Sequence, residues 1–144
     1  MIVVVDTNIL FSACLTPQGR TFEILFHARA ELISSHLAIE EITRHKQKLL
    51  RLSKLPADDL ETLIALVIKQ VTFIDEAIVE ETYWKQADEL TRGVDGDDVA
   101  FVALALQTGG ILWTGDKKLA QHLKNLHFDR VASSAELIQL LTIE

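Results

Sequence analysis

Cysteine is almost absent from this chain: Cys14 stands alone, which excludes an internal disulfide and a cysteine-based zinc site and leaves the residue as a small core hydrophobe. Long apolar runs are missing too. No window approaches the ~18 uninterrupted apolar residues of a membrane span. Ile2 to Val5 is too short, and too soon followed by Asp6, for the core of a signal peptide. A cytoplasmic location is the expectation. A surplus of positive charge is also lacking: the net charge of −7 argues against a protein that coats nucleic acid through its whole-surface field. The histidines His27, His36, His45, His122 and His127 show no HExxH-type or i, i+4 pairing, so a zinc site fits poorly. There is no internal repeat, low-complexity tract or linker. What is there is ordinary for a globular protein: 144 residues, 49% hydrophobic and 24% charged, enough to bury one core, so a single domain over residues 1–144 is expected.

The stretch Ile-Val-Val-Val-Asp-Thr-Asn, Ile2 to Asn8, organises the rest. Its run of β-formers without polar alternation predicts a short strand buried on both faces, as in the middle of a parallel sheet. Asp6 follows that strand directly, where open α/β sheets gather ligands. The alternative is that Asp6 only caps the next helix through its side chain. Further on, Leu10 to Leu15 and Thr21 to Ala30 read as helices separated by the turn cluster Thr16 to Gly19, and Leu32 to Ser35 as a second strand. Leu37 to about Leu52 reads as one helix. Pro56 restarts the chain. Leu60, Leu63, Ile64, Val67 and Val71 then mark an amphipathic helix, with Asp58, Asp59 and Glu61 in its first turn. Val71 to Ile74 is a third strand, and an acidic helix runs from about Ala77 to Thr91, closed by Gly93. Asp95 to Asp98 open a very apolar helix, Val99 to Leu106. Ile111 to Thr114 is a fourth strand, and Gly115 with Asp116 starts a helix through Leu123. Val131 with Ala132 is a last short strand, and Ser133 or Ser134 caps a closing helix, Ala135 to Leu141. Strands alternating with helices at this spacing predict a parallel sheet covered on both faces.

Parallel strands put Asp6 and Asp116 at the same sheet edge, and the helix starts that carry Glu40, Glu41 and Asp95 to Asp98 lie near it. Carboxylates gathered in one cleft raise each other's pKa unless a hard cation neutralises them. A site for magnesium or manganese, which prefer carboxylate and water oxygens, is the economical reading. A phosphatase of the haloacid dehalogenase type would want a second aspartate where Asn8 stands; Gly-Val-Asp-Gly-Asp-Asp is not a calcium-binding loop, and Thr-Gly-Asp-Lys-Lys is not a phosphate-binding P-loop. One basic strip interrupts the acidic chain. Between Ile42 and Ala57 there is no acid, while Arg44, Lys46, Lys48, Arg51 and Lys54 supply five of the fourteen Lys and Arg side chains. It is a solvated helix face, a contact for a phosphate backbone or a docking face for a partner.

Four segments in order, Val-Val-Asp-Thr-Asn, Glu-Glu-Ile after a Ser-containing strand, Asp-Asp before an Ala/Leu-rich helix and Thr-Gly-Asp after a late strand, resemble the PIN-domain ribonucleases. The resemblance is in particular to VapC-type toxins of prokaryotic toxin-antitoxin pairs. It spans nearly the whole chain, with about Lys54 to Gly93 matching only as a helical pattern. It implies a three-layer α/β/α sandwich with a mostly parallel sheet and a magnesium- or manganese-dependent endoribonuclease. By that resemblance Asp6, Glu41, Asp98 and Asp116 are the metal-binding acids, with Glu41 preferred to Glu40 and Asp98 to Asp97, which would serve as an N-cap or a stand-in. Lys118 stands where some members carry a further acid. Thr7, Asn8 and Thr114 resemble the supporting polar residues, with plain turn and cap hydrogen bonding as the alternative. The basic strip would steer RNA or face an antitoxin, and a homodimer is implied, Trp84 and Trp113 being read as core. A PIN-like enzyme acting on structured DNA or in RNA processing, and a catalytically silent binding module, are the rival readings.

Overall fold

The computed structural model describes residues 1–94 and 96–142. Its five strands, β1 Ile2–Val5, β2 Glu31–Ser35, β3 Thr72–Ile74, β4 Ile111–Trp113 and β5 Val131–Ala132, form one sheet in the order β3-β2-β1-β4-β5. All four pairings are parallel, with Val4 opposite Ile33 on one side and Leu112 on the other. β1 is therefore central. Val3, Val4 and Val5 are fully buried, as an unalternating run in a sheet covered on both faces must be, each contributing roughly 1.5–3 kcal/mol of apolar burial.

The nine helices among the described residues are α1 Thr7–Leu15, α2 Arg20–His27, α3 His36–Arg44, α4 Lys46–Ser53, α5 Ala57–Lys69, α6 Glu81–Thr91, α7 Val99–Thr108, α8 Lys117–Asn125 and α9 Ser134–Thr142. Right-handed crossovers decide their faces. From β1 to β2 to β3 the chain moves one way across the sheet, which puts α1 to α5 on one face, with α1 packed on α2, α3, α4 and α5. From β3 it crosses back over β2 and β1 to β4, which puts α6 and α7 on the other; α7 lies on β1, β2 and β4 with α6 packed along it. α8 follows β4 on this second face and touches α6, while α9 returns to α2 on the first. The result is the expected three-layer α/β/α sandwich, its sheet wholly parallel.

Local sequence sets most of these elements. α7 is apolar all round because it is covered all round: Ala100 to Ala105 are buried without a break between sheet and α6. It stops at Gly109, whose φ of 73° closes the helix end. Gly110 then starts β4 against β1, where an added Cβ would lie 3.0 Å from Ile2 Cγ2 and 3.1 Å from the Ile2 carbonyl oxygen.

Three expectations on element limits are corrected. The helix predicted from Leu37 to Leu52 is two, broken at His45 (φ −104°, ψ 19°), which swings α4 off the path of α3 along β2 and onto α1 and α5. No proline or glycine announces that turn. The acidic helix begins at Glu81 instead of Ala77, because Asp75 accepts from Ala77 N and holds Glu76–Ile78 in a separate 3-10 turn. α2 ends at His27, short of Ala30, as Ala28 turns extended toward β2. Asp95, part of the acidic cluster read from the sequence, lies outside the described residues.

Candidate active site

The chain leaves β1 toward one edge of the sheet and β4 toward the other, so their adjacent carboxyl ends form the crevice where α/β sheets collect ligands. Each strand is followed by an aspartate that caps the next helix. Asp6 Oδ1 accepts from Ile9 N at 2.9 Å, and Asp116 Oδ1 accepts from Leu119 N at 3.0 Å. Asp6 thus caps α1 while standing at this crevice, so the two alternatives offered by the sequence do not exclude one another. Thr114 joins the two: its Oγ1 accepts from Asp116 N at 3.1 Å, and its hydroxyl hydrogen-bonds the Asp6 carboxylate. Ser34 Oγ donates to the Val5 carbonyl at 2.6 Å from the neighbouring strand, fixing the backbone one residue before Asp6.

Glu41 comes from the second turn of α3, whose start is set by Ser35 accepting from Leu37 N at 3.1 Å. Asp97 and Asp98 come from a 3-10 turn, Gly96–Asp98, that feeds directly into α7. Asp6, Thr7, Asn8, Glu41, Asp97 and Asp98 meet around one cavity of about 100 Å³, floored by Phe101. Asp116 stands beside Asp6, acting on it through charge, and lines the next cavity with Thr114, Lys117 and Lys124. Glu40 and Lys118 are exposed. Of the paired aspartates, Asp98 occupies the N-cap position of α7, while Asp97 is the one whose charge acts on Glu41.

Burial and mutual repulsion set the electrostatics. Asp6 is only 2% exposed, and its carboxyl is pushed up to about 6, first by loss of solvent and further by the charges of Asp116 and Glu41, against the bonds from Thr114 and Ile9. Glu41 is also raised, by burial and then by Asp97; Thr7, Arg44 and His45 oppose this. The Thr7 hydroxyl is near enough to hold the Glu41 pKa down, yet Thr7 Oγ1 is buried without a partner at hydrogen-bonding geometry. An all-oxygen donor set, a buried carboxyl with this proton affinity and an orphaned hydroxyl fit a hard divalent cation. Among the described residues, however, no group of three or more Asp, Glu, His or Cys side chains stands close enough together to hold a metal ion.

The match to the PIN domain covers residues 4–134. The chain belongs to the PIN-domain family. PIN domains are generally nucleases that use divalent metals, and some are inactive. No curated protein matches this PIN domain in sequence. Among solved structures it is similar to PAE2754 from Pyrobaculum aerophilum, at 18% identity and a TM-score of 0.71, over 100% of this chain and 91% of that one. It is also similar to VapBC2 from Rickettsia felis, a structure bound to a DNA fragment from its promoter, at 12% identity and a TM-score of 0.65, over 92% of this chain and 98% of that one. At these identities the likeness concerns the fold. No helix of the described PIN domain is long and apolar enough to cross a membrane.

The basic strip is not one surface. Lys46 pairs with Glu61 of α5, Arg44 lies beside Glu41, and Lys48 lines a separate groove with Asn8, Phe11 and Leu52. The bend at His45 parts Arg44, at the end of α3, from Lys46, Lys48 and Arg51 on α4. Sequence reading assigned Phe101 and Ser34 no site role and placed Trp84 in the core; Trp84 is half-buried and lines a pocket against Glu41. Trp113 is fully buried, as expected, its Nε1 donating to Ser134 Oγ at 2.9 Å.

Proposed function

We propose that this PIN domain, a single unit over residues 1–144, is a magnesium- or manganese-dependent endoribonuclease. In this reading Asp6, Glu41, Asp98 and Asp116 hold the cation, with Asp97 able to stand in. The observation that carries the reading is the buried Asp6 carboxyl, pushed up to about 6 at the crevice between β1 and β4 with further acids converging on it. Such an arrangement costs folding stability and is relieved by a divalent cation. When bound, that cation would neutralise the acids, polarise the scissile phosphate and lower the pKa of an attacking water. The chain's own residues position: Thr114 and the Ile9 amide orient Asp6, Thr7 lies against Glu41, and Asn8 at the cavity rim offers a polar group to a substrate oxygen.

The match to the PIN domain and the fold shared with a VapBC structure support the toxin of a toxin-antitoxin pair. The reading adds a cytoplasmic dimer whose acidic cleft a cognate antitoxin covers. The test is cleavage of an end-labelled structured RNA by wild type and by Asp6→Asn, with magnesium, with manganese and with a chelator. Cleavage by wild type alone, abolished by the chelator, is expected. A folded wild type that cuts no RNA with either ion refutes the reading.

A further inference from the structure

The acidic cavity, of about 100 Å³, is too small for a nucleotide, but a larger one adjoins it. Glu41 and Asp97 line both, and the second, of about 320 Å³, is otherwise walled by Leu37, Arg44, His45, Trp84, Val99 and Ala100 with the backbone of Gly96. Three elements build it. α3 supplies Leu37 and Arg44, α6 supplies Trp84, and α7 supplies Val99 and Ala100, with His45 at the bend. Its lining is chemically mixed: an indole and aliphatic side chains, a guanidinium and an imidazole, besides the two shared carboxylates. Trp84 is half-buried, so its indole packs on the protein yet keeps solvent-facing surface. An aromatic ring in a cleft beside a cation is the combination that takes an unstacked base and its phosphate.

We propose that this pocket binds one base of single-stranded RNA next to the phosphate that is cut, the base stacking on Trp84 and the adjoining phosphate meeting Arg44. This rests on the nuclease reading for its place beside the scissile bond. Stacking tolerates any base, so affinity falls on Trp84 and preference among bases is modest, following stacking strength. The pocket admits an unpaired base only, which directs cleavage to loops and single strands.

Fluorescence tests the pocket apart from cleavage. Trp84 and Trp113 are the two tryptophans, and Trp113 is fully buried, so only Trp84 emission responds to a base in the pocket. RNA hexamers of a single base are titrated into the full chain carrying Asp6→Asn, which leaves them intact. Saturable quenching is expected, absent when Trp84→Phe is added. In cleavage assays Trp84→Ala should raise KM for single-stranded RNA by about 5- to 150-fold with little change in kcat, the range typical of one stacked base, and Trp84→Phe should restore it. Thermal melts establish that each variant is folded. Quenching without any cleavage supports the pocket and refutes the nuclease reading. Cleavage with no quenching by any hexamer, and a KM unmoved by Trp84→Ala, overturns the pocket and leaves the nuclease reading standing. Equal quenching by duplex RNA overturns the restriction to unpaired bases.

Discussion

Replacing Asp6 with asparagine should stabilise the metal-free protein while removing its response to metal. The carboxyl moves from an ordinary 3.8 to about 6 on folding. A shift of about 2 units, at ~1.4 kcal/mol each, makes the ionised group cost roughly 3 kcal/mol at neutral pH. The sign follows from proton binding: the folded state holds this proton more tightly than the unfolded one. Stability of the metal-free wild type is therefore full below about pH 4 with respect to this group, falls as pH rises from about 4 to 6, and stays reduced above 6. The substituted amide would keep the capping bond to Ile9 N through its carbonyl oxygen and carries no charge to desolvate. At pH 7.5, with chelator present, the variant should melt higher by up to about 10 °C, taking an unfolding entropy of ~2 cal/mol/K per residue. Between pH 4 and 6.5 its melting temperature should lack the decline that wild type shows from this group. With millimolar manganese the order should reverse, because binding stabilises only the protein that retains the ligand. Calorimetry with and without chelator measures all three effects. A metal-free Asp6→Asn that melts below wild type at pH 7.5, with an unchanged pH slope, would refute the assignment of Asp6 as a strained acid.

Thr114→Val removes a bond that lowers the Asp6 pKa, so the acid limb of the pH-activity profile should move to higher pH, read from kcat/KM between pH 5 and 8. Ser34→Ala deletes the buried bond to the Val5 carbonyl and should cost about 1–3 kcal/mol in denaturant melts, with a loss of activity that follows the displaced strand end. Arg44→Ala should raise KM for RNA several-fold. Lys46→Ala, whose partner is Glu61 on a largely exposed pair, should change KM little and stability by no more than about 1 kcal/mol; equal effects would mean the strip acts as one surface. Leu112→Ala, at a fully buried position of β4, should cost about 2–5 kcal/mol without altering metal dependence, measured by urea melts.

Most of the fold was legible because its signals are local. Unalternating valines, glycine stops, serine caps and an all-apolar α7 each dictate one element without reference to distant residues. The break at His45 was not, since helix-forming residues run through it and only the packing of α4 on α1 and α5 bends the chain there. The same bend puts Arg44 on a different helix from the other basic residues of a strip that is continuous in sequence.

For the acids the division is similar. Sequence by itself determined that carboxylates follow β1 and β4 and begin α7, because strand ends and helix starts are local features. Only the tertiary structure decided their chemistry. The crossover from β3 back to β4 sets Asp116 beside Asp6 and buries Asp6, and burial, the largest cause of its raised pKa, depends on every layer around a residue rather than on its neighbours in the chain.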